Sequence, residues 1–481
     1  MNKEPRFYLV LDQGGQSSRA SLYNQYGECI AYNRQPVQTY KNQGIYIEHD
    51  AYEILHSLEQ AMAQVFQQAK TPVDSFITAG LATQRASIVC WDKITSQPLS
   101  RVISWQDVRA EQWLADLPVD PKRIQQISGL KLSAHYGASK LHWCLQHIDA
   151  VKQTYDNQRL AAGPLASFII HSLLKERPCL VDIVNAARTQ CLDIRRGDWS
   201  DELLTSFGLP KQILPQCTGT HYPFGLLAAY PTIPLSTVTG DQAAALFAHG
   251  ELKTDTIYIN IGTGAFLLQP CDENDPFHED LLTSVVMQDT QQTVYAREGT
   301  VNGAAAALNW LAEDLHCSME TLLQPYSQWR DYTGSIPLFI NTVSGLGSPY
   351  WYSGLVPRFT QQADSQGKTR SVIESIVFLV TKNVELLAAD AKTTQIIISG
   401  GLCKPNAICQ WLADLTQIPV LRPNTTEATS RGLACLMAGL PGEWNDTHQG
   451  EQFSPCQHST LQQRYQRWKT EMQTAVDSVS T

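Results

Sequence analysis

The fold of this chain is specified at residues 7–23, which read FYLVLDQGGQSSRASLY. An apolar run from Phe7 to Leu11 is rich in residues that favour β-strands, and Arg19 to Tyr23 has the same character. Between these runs, Asp12 to Ser18 is polar and contains two adjacent glycines, which suit positive φ angles or the close approach of a ligand. The stretch therefore predicts a β-hairpin with a glycine turn at its tip.

A helix and another strand are predicted after this hairpin. Asp50 and Glu53 have the spacing of a capping box, and apolar residues recur at helical intervals from Ile54 to Phe66. A strand-like run from Ile77 to Leu81 follows. The alternation of strand, helix and strand predicts an α/β architecture.

The same hairpin pattern returns in the second half of the chain. Residues 256–268 form two apolar runs around Gly262-Thr263-Gly264. A third glycine turn, Gly400-Gly401, follows an apolar strand and precedes a helix that we expect to begin near Asn406, an arrangement suited to binding an anion. The repetition predicts a duplicated α/β unit, which we divide into residues 1–249 and 250–481.

Composition narrows the range of partners. The 481 residues include 36 basic and 46 acidic side chains, so the net charge is −10 and no basic block offsets it. Nucleic acid and anionic membranes are therefore poor candidates, and a small molecule is the better expectation. No apolar run is long enough to span a membrane, and the 12 cysteines form no Cys-x-x-Cys pair. These features favour a cytoplasmic protein with reduced cysteines.

Two aspartates are the first candidates for chemistry. Asp241, within Gly240-Asp241-Gln242, is placed between a strand and a helix, where an aspartate is first of all a helix cap. The same position suits a general base that takes a proton from a hydroxyl group. Asp12, with a later carboxylate, would suit Mg²⁺ held largely through water, although acidic residues are also common in ordinary turns.

Polar and aromatic residues after other apolar segments suggest a site for a polyol or sugar. Arg85 and Trp105 each follow such a segment. Together they offer hydrogen bonds for hydroxyl groups and an aromatic face for C–H groups. Taken singly, the arginine is equally consistent with a solvated loop and the tryptophan with a core position, and lone histidines such as His135 are consistent with ordinary packing.

In their order along the chain, these segments resemble the FGGY family of carbohydrate kinases, most of all its glycerol kinase branch. The resemblance extends from about residue 6 to residue 440. Its motifs are residues 11–19, 82–85, 104–109, 185–189, 240–242, 260–266, 298–300, 309–311, 344–351, 399–401 and 427–432.

The resemblance implies two actin-like, ribonuclease-H-like domains around a cleft, and ATP-dependent phosphorylation of a small polyol or sugar. It implies Asp241 as the general base, and Asp12 with Asp241 near Mg²⁺. The acceptor site implied in this way consists of Arg85, Trp105, His135, Asp241, Gln242 and Phe266. The implied nucleotide site consists of Gly14, Gly15, Gln16, Arg19, Gly262, Thr263, Gly264, Asn309, Gly400, Gly401 and Asn406.

Departures from the glycerol kinase pattern bear on the substrate. Ala86 stands where that branch has a glutamate that accepts hydrogen bonds from glycerol, and His135 replaces a tyrosine that contacts it. Loss of a charged acceptor removes roughly 1.5–3 kcal/mol, or about one to two decades in affinity. We therefore expect glycerol to be a poor substrate and a longer polyol or a ketose to fit better.

Other functions remain open from the sequence. Gly15 and Gln16 replace two threonines of the usual phosphate hairpin, so a catalytically impaired sensor of sugar and nucleotide is one alternative. An actin-like ATPase is another. Family members are often dimers or tetramers, which leaves a homo-oligomer as a further expectation.

Overall fold

The computed structural model describes residues 7–70, 77–275, 277–324, 329–389, 392–424, 427–444 and 450–478. The strands are β1 Phe7–Gln13, β2 Ser17–Asn24, β3 Cys29–Pro36, β4 Tyr40–Asn42, β5 Tyr46–His49, β6 Ile77–Thr83, β7 Ile88–Asp92, β8 Val102–Ile103, β9 Leu160–Pro164, β10 Leu180–Asp182, β11 Leu192–Asp193, β12 Asp198–Trp199, β13 Gln216–Thr218, β14 His221–Leu226, β15 Pro234–Gly240, β16 Thr256–Ile261, β17 Ala265–Cys271, β18 Leu282–Gln288, β19 Thr293–Val301, β20 Phe339–Ile340, β21 Arg358–Phe359, β22 Gln395–Ser399, β23 Val420–Pro423 and β24 Gly450–Phe453. The α-helices are α1 Ala51–Ala69, α2 Glu111–Ala115, α3 Pro121–Ser128, α4 Gly137–His147, α5 Asp149–Asp156, α6 Leu165–Leu173, α7 Ile183–Ala187, α8 Asp201–Phe207, α9 Asp241–Leu246, α10 Ala305–Asp314, α11 Met319–Leu323, α12 Ser365–Leu387, α13 Asn406–Thr416, α14 Ala428–Met437 and α15 Ser459–Asp477.

The first predicted hairpin forms the centre of a six-stranded sheet with the order β14-β15-β6-β1-β2-β3. Strand β1 pairs antiparallel with β2 and parallel with β6, and β6 pairs parallel with β15. The predicted helix start is confirmed, because the Asp50 side chain accepts hydrogen bonds from the backbone of Tyr52 and Glu53. Glu53 does not complete a capping box, since its carboxylate accepts a bond from the backbone N–H of Gln38.

The second predicted hairpin organises a seven-stranded sheet with the order β18-β19-β17-β16-β22-β23-β24. Here β16 pairs antiparallel with β17 and parallel with β22, and β22 pairs parallel with β23. The strands β3-β2-β1-β6-β15 and β19-β17-β16-β22-β23 therefore have the same succession of antiparallel and parallel pairs. The predicted duplication of the α/β unit is thus visible in the topology of the two sheets.

Hydrophobic contacts join the two halves of the chain. Helix α14, from the second half, lies against the first sheet, and its residues Leu433 and Ala434 share a buried cluster with Tyr8 and Val10 of β1. Gly432 permits this approach, because a Cβ atom there would lie 1.8 Å from the backbone oxygen of Ala244 in α9. A second, larger core also contains residues of both halves, including Ile88 of β7 and Val285 of β18.

The structure also bears on the cysteines and on membrane-spanning helices. Each of the twelve cysteines is a free thiol. Among the described helices, none combines the length and the apolar character that crossing a lipid bilayer requires.

Candidate functional site

The tip of the first hairpin presents a carboxylate paired with an arginine. Asp12 is buried at the end of β1, and its Oδ2 lies 2.7 Å from Nη1 of Arg19 on β2. Gly14, Gly15 and the exposed Gln16 form the turn between them. Burial raises the pKa of Asp12 to about 6, an effect that Arg19 opposes and that the charges of Asp241 and Glu427 reinforce.

This turn lies beside the predicted acceptor residues. A Cβ atom built on Gly15 would lie 3.9 Å from Oε1 of Gln84 and 4.0 Å from Nε1 of Trp105. The backbone N–H of Gln84 also donates to the carbonyl of Gln13, at 2.7 Å. The hairpin tip therefore faces Trp105 and the segment that leads to Arg85, and Gly15 leaves space between them.

Asp241 is the first residue of helix α9, and its carboxylate is not a helix cap. Gly240 occupies the capping position without a side-chain bond, and Oδ1 of Asp241 accepts only a short 2.7 Å bond from the adjacent N–H of Gln242 among the bonds found. Burial raises the pKa of Asp241, while Arg85, that N–H group, Arg188 and Arg19 oppose the rise. Asp241 therefore does not cap helix α9; its carboxylate is half-buried and lies near three arginines.

A cavity of about 260 Å³ opens beside Asp241. Gln242 and Phe266, two predicted acceptor residues, line it together with polar groups at the ends of β16 and β22 and with helix α14. The remainder of the lining is mostly apolar and lies between α9 and the second sheet. The lining residues are Asp241, Gln242, Ala245, Leu246, His249, Tyr258, Ile259, Asn260, Phe266, Leu268, Ile397, Ser399, Ala428 and Thr429.

Arg85 connects this cavity to the other predicted acceptor residues. Its guanidinium group donates a hydrogen bond to Oε1 of Gln242. On the other side, the rings of Trp105 and His135 meet edge to face, with centroids 5.4 Å apart. Burial and the nearby cations Lys140, Arg188 and Arg85 hold the pKa of His135 far below its usual range, so the imidazole is neutral at physiological pH.

Ala86 packs in an apolar environment. Its methyl group belongs to a buried cluster with Leu130, Tyr136 and Leu282, against which Trp105 and Trp351 also pack. The residue has a φ angle of +61°, which is uncommon for a residue other than glycine. The residue that follows Arg85 is therefore surrounded by hydrocarbon and aromatic groups.

The glycines of the second half form one cluster with the start of helix α10. The carbonyl of Gly262 accepts from Ala305, and that of Thr263 accepts from Ala306. A Cβ atom on Gly264 would lie 2.8 Å from the backbone oxygen of Val301, and one on Gly400 would lie 2.4 Å from that of Ile261. The two glycine turns are therefore adjacent in space, and both approaches require the absence of a side chain.

The remaining predicted nucleotide residues lie at the surface of the second half. Asn309 is exposed on α10, and Gly401 has open space where a Cβ would be. Asn406 is exposed at the start of α13, where its amide donates to Glu451 and accepts from Arg422. A 3₁₀ turn over Gly401–Cys403 follows Gly400, and α13 begins at Asn406, so the predicted start of this helix is confirmed.

A buried ion pair that the sequence did not predict joins the two halves of the chain. Arg188, just after α7, pairs with Glu298 of β19, and Ser284 also donates to this carboxylate, at 2.8 Å. Burial opposes ionisation of Glu298, but Arg188 and Arg85 together with these hydrogen bonds lower its pKa to about 2. Both residues lie in motifs of the family resemblance, but spacing in the sequence does not indicate that they meet.

Asp12 and Asp241 are the predicted ligands of a metal ion. Within the described ranges, no group of three or more His, Cys, Asp or Glu side chains is placed to hold a metal ion by itself. The charge of the half-buried Asp241 adds to the cost of ionising the buried Asp12, so a cation near both would relieve this repulsion. Such a donor set fits Mg²⁺, which commonly uses one or two carboxylates together with phosphate and water.

Comparison with known proteins gives a consistent result over nearly the whole chain. The models of the FGGY family of carbohydrate kinases match residues 7–248 for its N-terminal domain and residues 257–439 for its C-terminal domain. Glycerol kinase of Alkalilimnicola ehrlichii is 32% identical over 446 residues, covering 90% of each chain.

Solved structures extend the match to the fold. Plasmodium falciparum glycerol kinase, determined with ADP, has a TM-score of 0.87 at 22% identity and covers 98% of this chain and 99% of its own. Xylulose kinase from Lactobacillus acidophilus has a TM-score of 0.83 at 17% identity and covers 99% and 98%. The predicted arrangement of two actin-like α/β domains is thereby confirmed. This chain belongs to the FGGY family of carbohydrate kinases.

Proposed function

We propose that Asp241 is the general base of an ATP-dependent kinase whose acceptor is a polyol or sugar longer than glycerol. The carboxylate of Asp241, at the wall of the 260 Å³ cavity, is the observation that carries the proposal. Its raised pKa brings its basicity closer to that needed at neutral pH, and the neighbouring arginines keep it ionised there.

In the proposed reaction Asp241 accepts the proton of one acceptor hydroxyl as that oxygen attacks the γ-phosphorus of ATP. The new O–P bond forms while the bond from the γ-phosphorus to the β,γ-bridging oxygen breaks, and ADP leaves with that bond's electron pair. Because such transfers depend mainly on positioning and charge neutralisation, the other residues act by holding the reactants.

The proposed acceptor site joins both sides of Arg85. Arg85 and Gln242 supply hydrogen bonds to hydroxyl groups, and Trp105 and His135 form the aromatic wall opposite. Phe266 contributes the wall supplied by the second half. When the acceptor binds, its hydroxyl groups replace the hydrogen bond between Arg85 and Gln242. The exchange costs little free energy, because each group keeps a polar partner.

The proposed phosphate site lies between the two glycine hairpins. Arg19 neutralises charge on the transferring group. The backbone N–H groups of Gly15, Gln16, Thr263 and Gly264 are proposed as donors, since those of Gly14 and Gly262 are bonded within their own turns. Asn309, Gly400, Gly401 and Asn406 are proposed for the nucleotide, further along the second half. Asp12 and Asp241 would hold Mg²⁺, which when bound to ATP neutralises phosphate charge.

Two observations support an acceptor longer than glycerol. First, Ala86 leaves no carboxylate to bind a short polyol, and apolar side chains surround it. Second, the cavity beside Asp241 and Phe266 has a volume of about 260 Å³ and is also lined by Leu246 and Ile397. Small acceptors would leave much of this space in contact with water, whereas a ketose or longer polyol would fill it.

The test is release of ADP from Mg-ATP with a panel of glycerol, erythritol, ribitol, ribulose, xylulose and larger ketoses. We expect one of the longer acceptors to be phosphorylated far faster than glycerol. Asp241→Asn should lower kcat for that acceptor by about 10²–10⁴-fold, the usual contribution of a general base. Asp156→Asn, an exposed position on α5, is the matched control.

Two results would count against the proposal. A low-micromolar KM for glycerol would exclude a preference for longer acceptors, and an Asp241→Asn variant with normal kcat would exclude the assigned base. If no acceptor stimulates ADP release although ATP binds, the altered turn at Gly15 and Gln16 becomes the reason to regard the chain as a sensor.

A further inference from the structure

A lysine that the proposed reaction does not use lies under the acceptor site. Lys140 projects from helix α4, and its side chain is fully buried. Its Nζ donates to the backbone carbonyl of His135 at 2.7 Å and to that of Ala86 at 3.2 Å. The two carbonyls belong to separate segments of the chain, so a single ammonium group links them.

Charge pairing does not account for this lysine. The nearest carboxylate that influences it is Asp107, which is already engaged by Arg109 at 2.7 Å and by the backbone N–H of Ile47 at 2.6 Å. Burial consequently lowers the pKa of Lys140 to about 7. An amine donates hydrogen bonds in either protonation state, so the carbonyls have a donor across this range.

Each of the two carbonyls lies next to a predicted acceptor contact. Ala86 follows Arg85, whose guanidinium group reaches Gln242 beside the base. Ala86 has a φ angle of +61°, a conformation that alanine adopts only when its surroundings hold it there. His135 carries its own carbonyl, and its ring packs on Trp105. Lys140 therefore fixes the backbone from which both walls of the site project.

The start of α4 is itself anchored, which makes Lys140 a rigid support. The N–H of Ala138 donates to the carbonyl of Thr189 at 2.7 Å, and the N–H of Gly137 donates to that of Arg188 at 3.3 Å. A buried polar group without a hydrogen-bond partner is costly, so both carbonyls strongly favour the position that Nζ defines.

We propose that Lys140 is a positioning residue for the acceptor, which sets the distance between the Arg85–Ala86 segment and His135 and thereby the affinity for the hydroxylated substrate. This inference rests on the proposed function. It assigns to Lys140 a larger effect on acceptor binding than on nucleotide binding, because both carbonyls belong to segments that carry proposed acceptor contacts.

The first test is Lys140→Met, which keeps the length of the side chain and removes its donors. With the acceptor identified from the panel, we expect its KM to rise by about tenfold or more, while the KM for ATP changes by less than about twofold. Lys152→Met, an exposed lysine on the adjacent helix α5, should leave both constants unchanged. Melting temperatures measured on all variants monitor folding.

The second test uses the backbone of Ala86. Glycine adopts a φ angle of +61° without strain, so Ala86→Gly should restore part of the acceptor affinity in the Lys140→Met background. We expect the double variant to have an acceptor KM about threefold or more below that of Lys140→Met, with Ala86→Gly alone as the reference of the cycle. Loss of general packing at residue 140 would not respond in this way.

The outcomes separate this inference from the proposed function. If the wild-type protein phosphorylates no acceptor, the proposed function fails. If it does so and Lys140→Met retains its acceptor KM, or changes the KM of ATP equally, Lys140 is not a positioning residue. If Lys140→Met does not fold, Lys140→Gln replaces it. Its side chain is one atom too short to link both carbonyls as Nζ does, so a normal acceptor KM together with no response to Ala86→Gly would overturn the inference.

Discussion

Asp241 is held between opposing influences on its charge. Burial raises its pKa, whereas Arg85, the N–H of Gln242, Arg188 and Arg19 stabilise the carboxylate. Asp12, at the end of β1 in the same sheet, has a pKa of about 6 for a similar reason. Because the base must be ionised to accept a proton, the proposed reaction has to weaken as the pH falls through the raised pKa of Asp241.

The first prediction at this scale is the position of the acid limb. We expect kcat/KM for the acceptor, measured between about pH 5 and 9, to decline on the acid side at a higher pH than a free aspartate would give. Arg85→Met removes the strongest influence opposing protonation of Asp241, so it should move the limb to still higher pH in addition to lowering affinity. An acid limb that stays in place in this variant would contradict the assignment of Asp241.

Some residues of the proposed site could be placed together from the sequence, and others could not. Asp12, Gly14, Gly15 and Arg19 could be placed together because they belong to one hairpin, whose pattern is local. Lys140 could not be assigned to the proposed acceptor site from the sequence. Its hydrogen-bond partners are the backbone carbonyl oxygens of Ala86 and His135, and every residue type has such an oxygen. A lysine among the apolar residues of an otherwise buried helix face was the only available signal.

At the scale of elements, the turn after β22 depends on two adjacent glycines with different surroundings. Gly400 has a φ angle of +101° and lies against the backbone of Ile261, whereas Gly401 faces open space. A side chain at residue 400 would therefore force the turns at 262–264 and 400–401 apart. A side chain at residue 401 would meet no described atom nearby.

This contrast gives the second prediction. Gly400→Ala should destabilise the protein by about 1–3 kcal/mol, because it adds both backbone strain and a steric clash. The measurement is the melting temperature, which we expect to fall clearly in Gly400→Ala and to change little in Gly401→Ala. Equal melting temperatures for the two variants would show that the turns are not packed as described.

Elements with periodic patterns were predictable, and their connections less so. Both hairpins, the helix that begins after Asp50 and the strand before Gly400 are confirmed. The interpretation of Asp241 as a cap was wrong, because Gly240 takes that place and the aspartate opens the helix. Which of the two positions a residue takes depends on a single backbone turn, which propensity does not determine.

At the scale of the molecule, Arg188 and Glu298 form a buried connection between the two halves. The folded-state pKa of Glu298 is about 2, below the value of about 4.3 for an unfolded chain. The stabilisation from its ionisation is therefore complete above about pH 4.3 and is lost as the pH falls toward 2. At neutral pH the pair stays charged, and its partners must remain in place.

The third prediction follows from that pair. Glu298→Gln leaves the Arg188 cation buried without its counter-charge, so we expect a loss of about 3–5 kcal/mol, seen as a lower melting temperature. The double variant Arg188→Met with Glu298→Leu should recover a large part of that loss, because it removes both charges. A double variant less stable than Glu298→Gln would indicate that the pair itself, and not the isolated charge, governs stability.

The division of the chain at residues 249 and 250 remains a prediction about how it would be cut into domains, and the contacts of α14 bear on how it is made. Tyr8 and Val10 of β1 are covered by Leu433 and Ala434. During synthesis the first sheet therefore leaves the ribosome long before its cover exists. At roughly 5–20 residues per second, the interval is on the order of 10–40 seconds. Throughout that interval the nascent chain exposes this apolar face, so the first half cannot complete its packing until residues 433 and 434 have been synthesised.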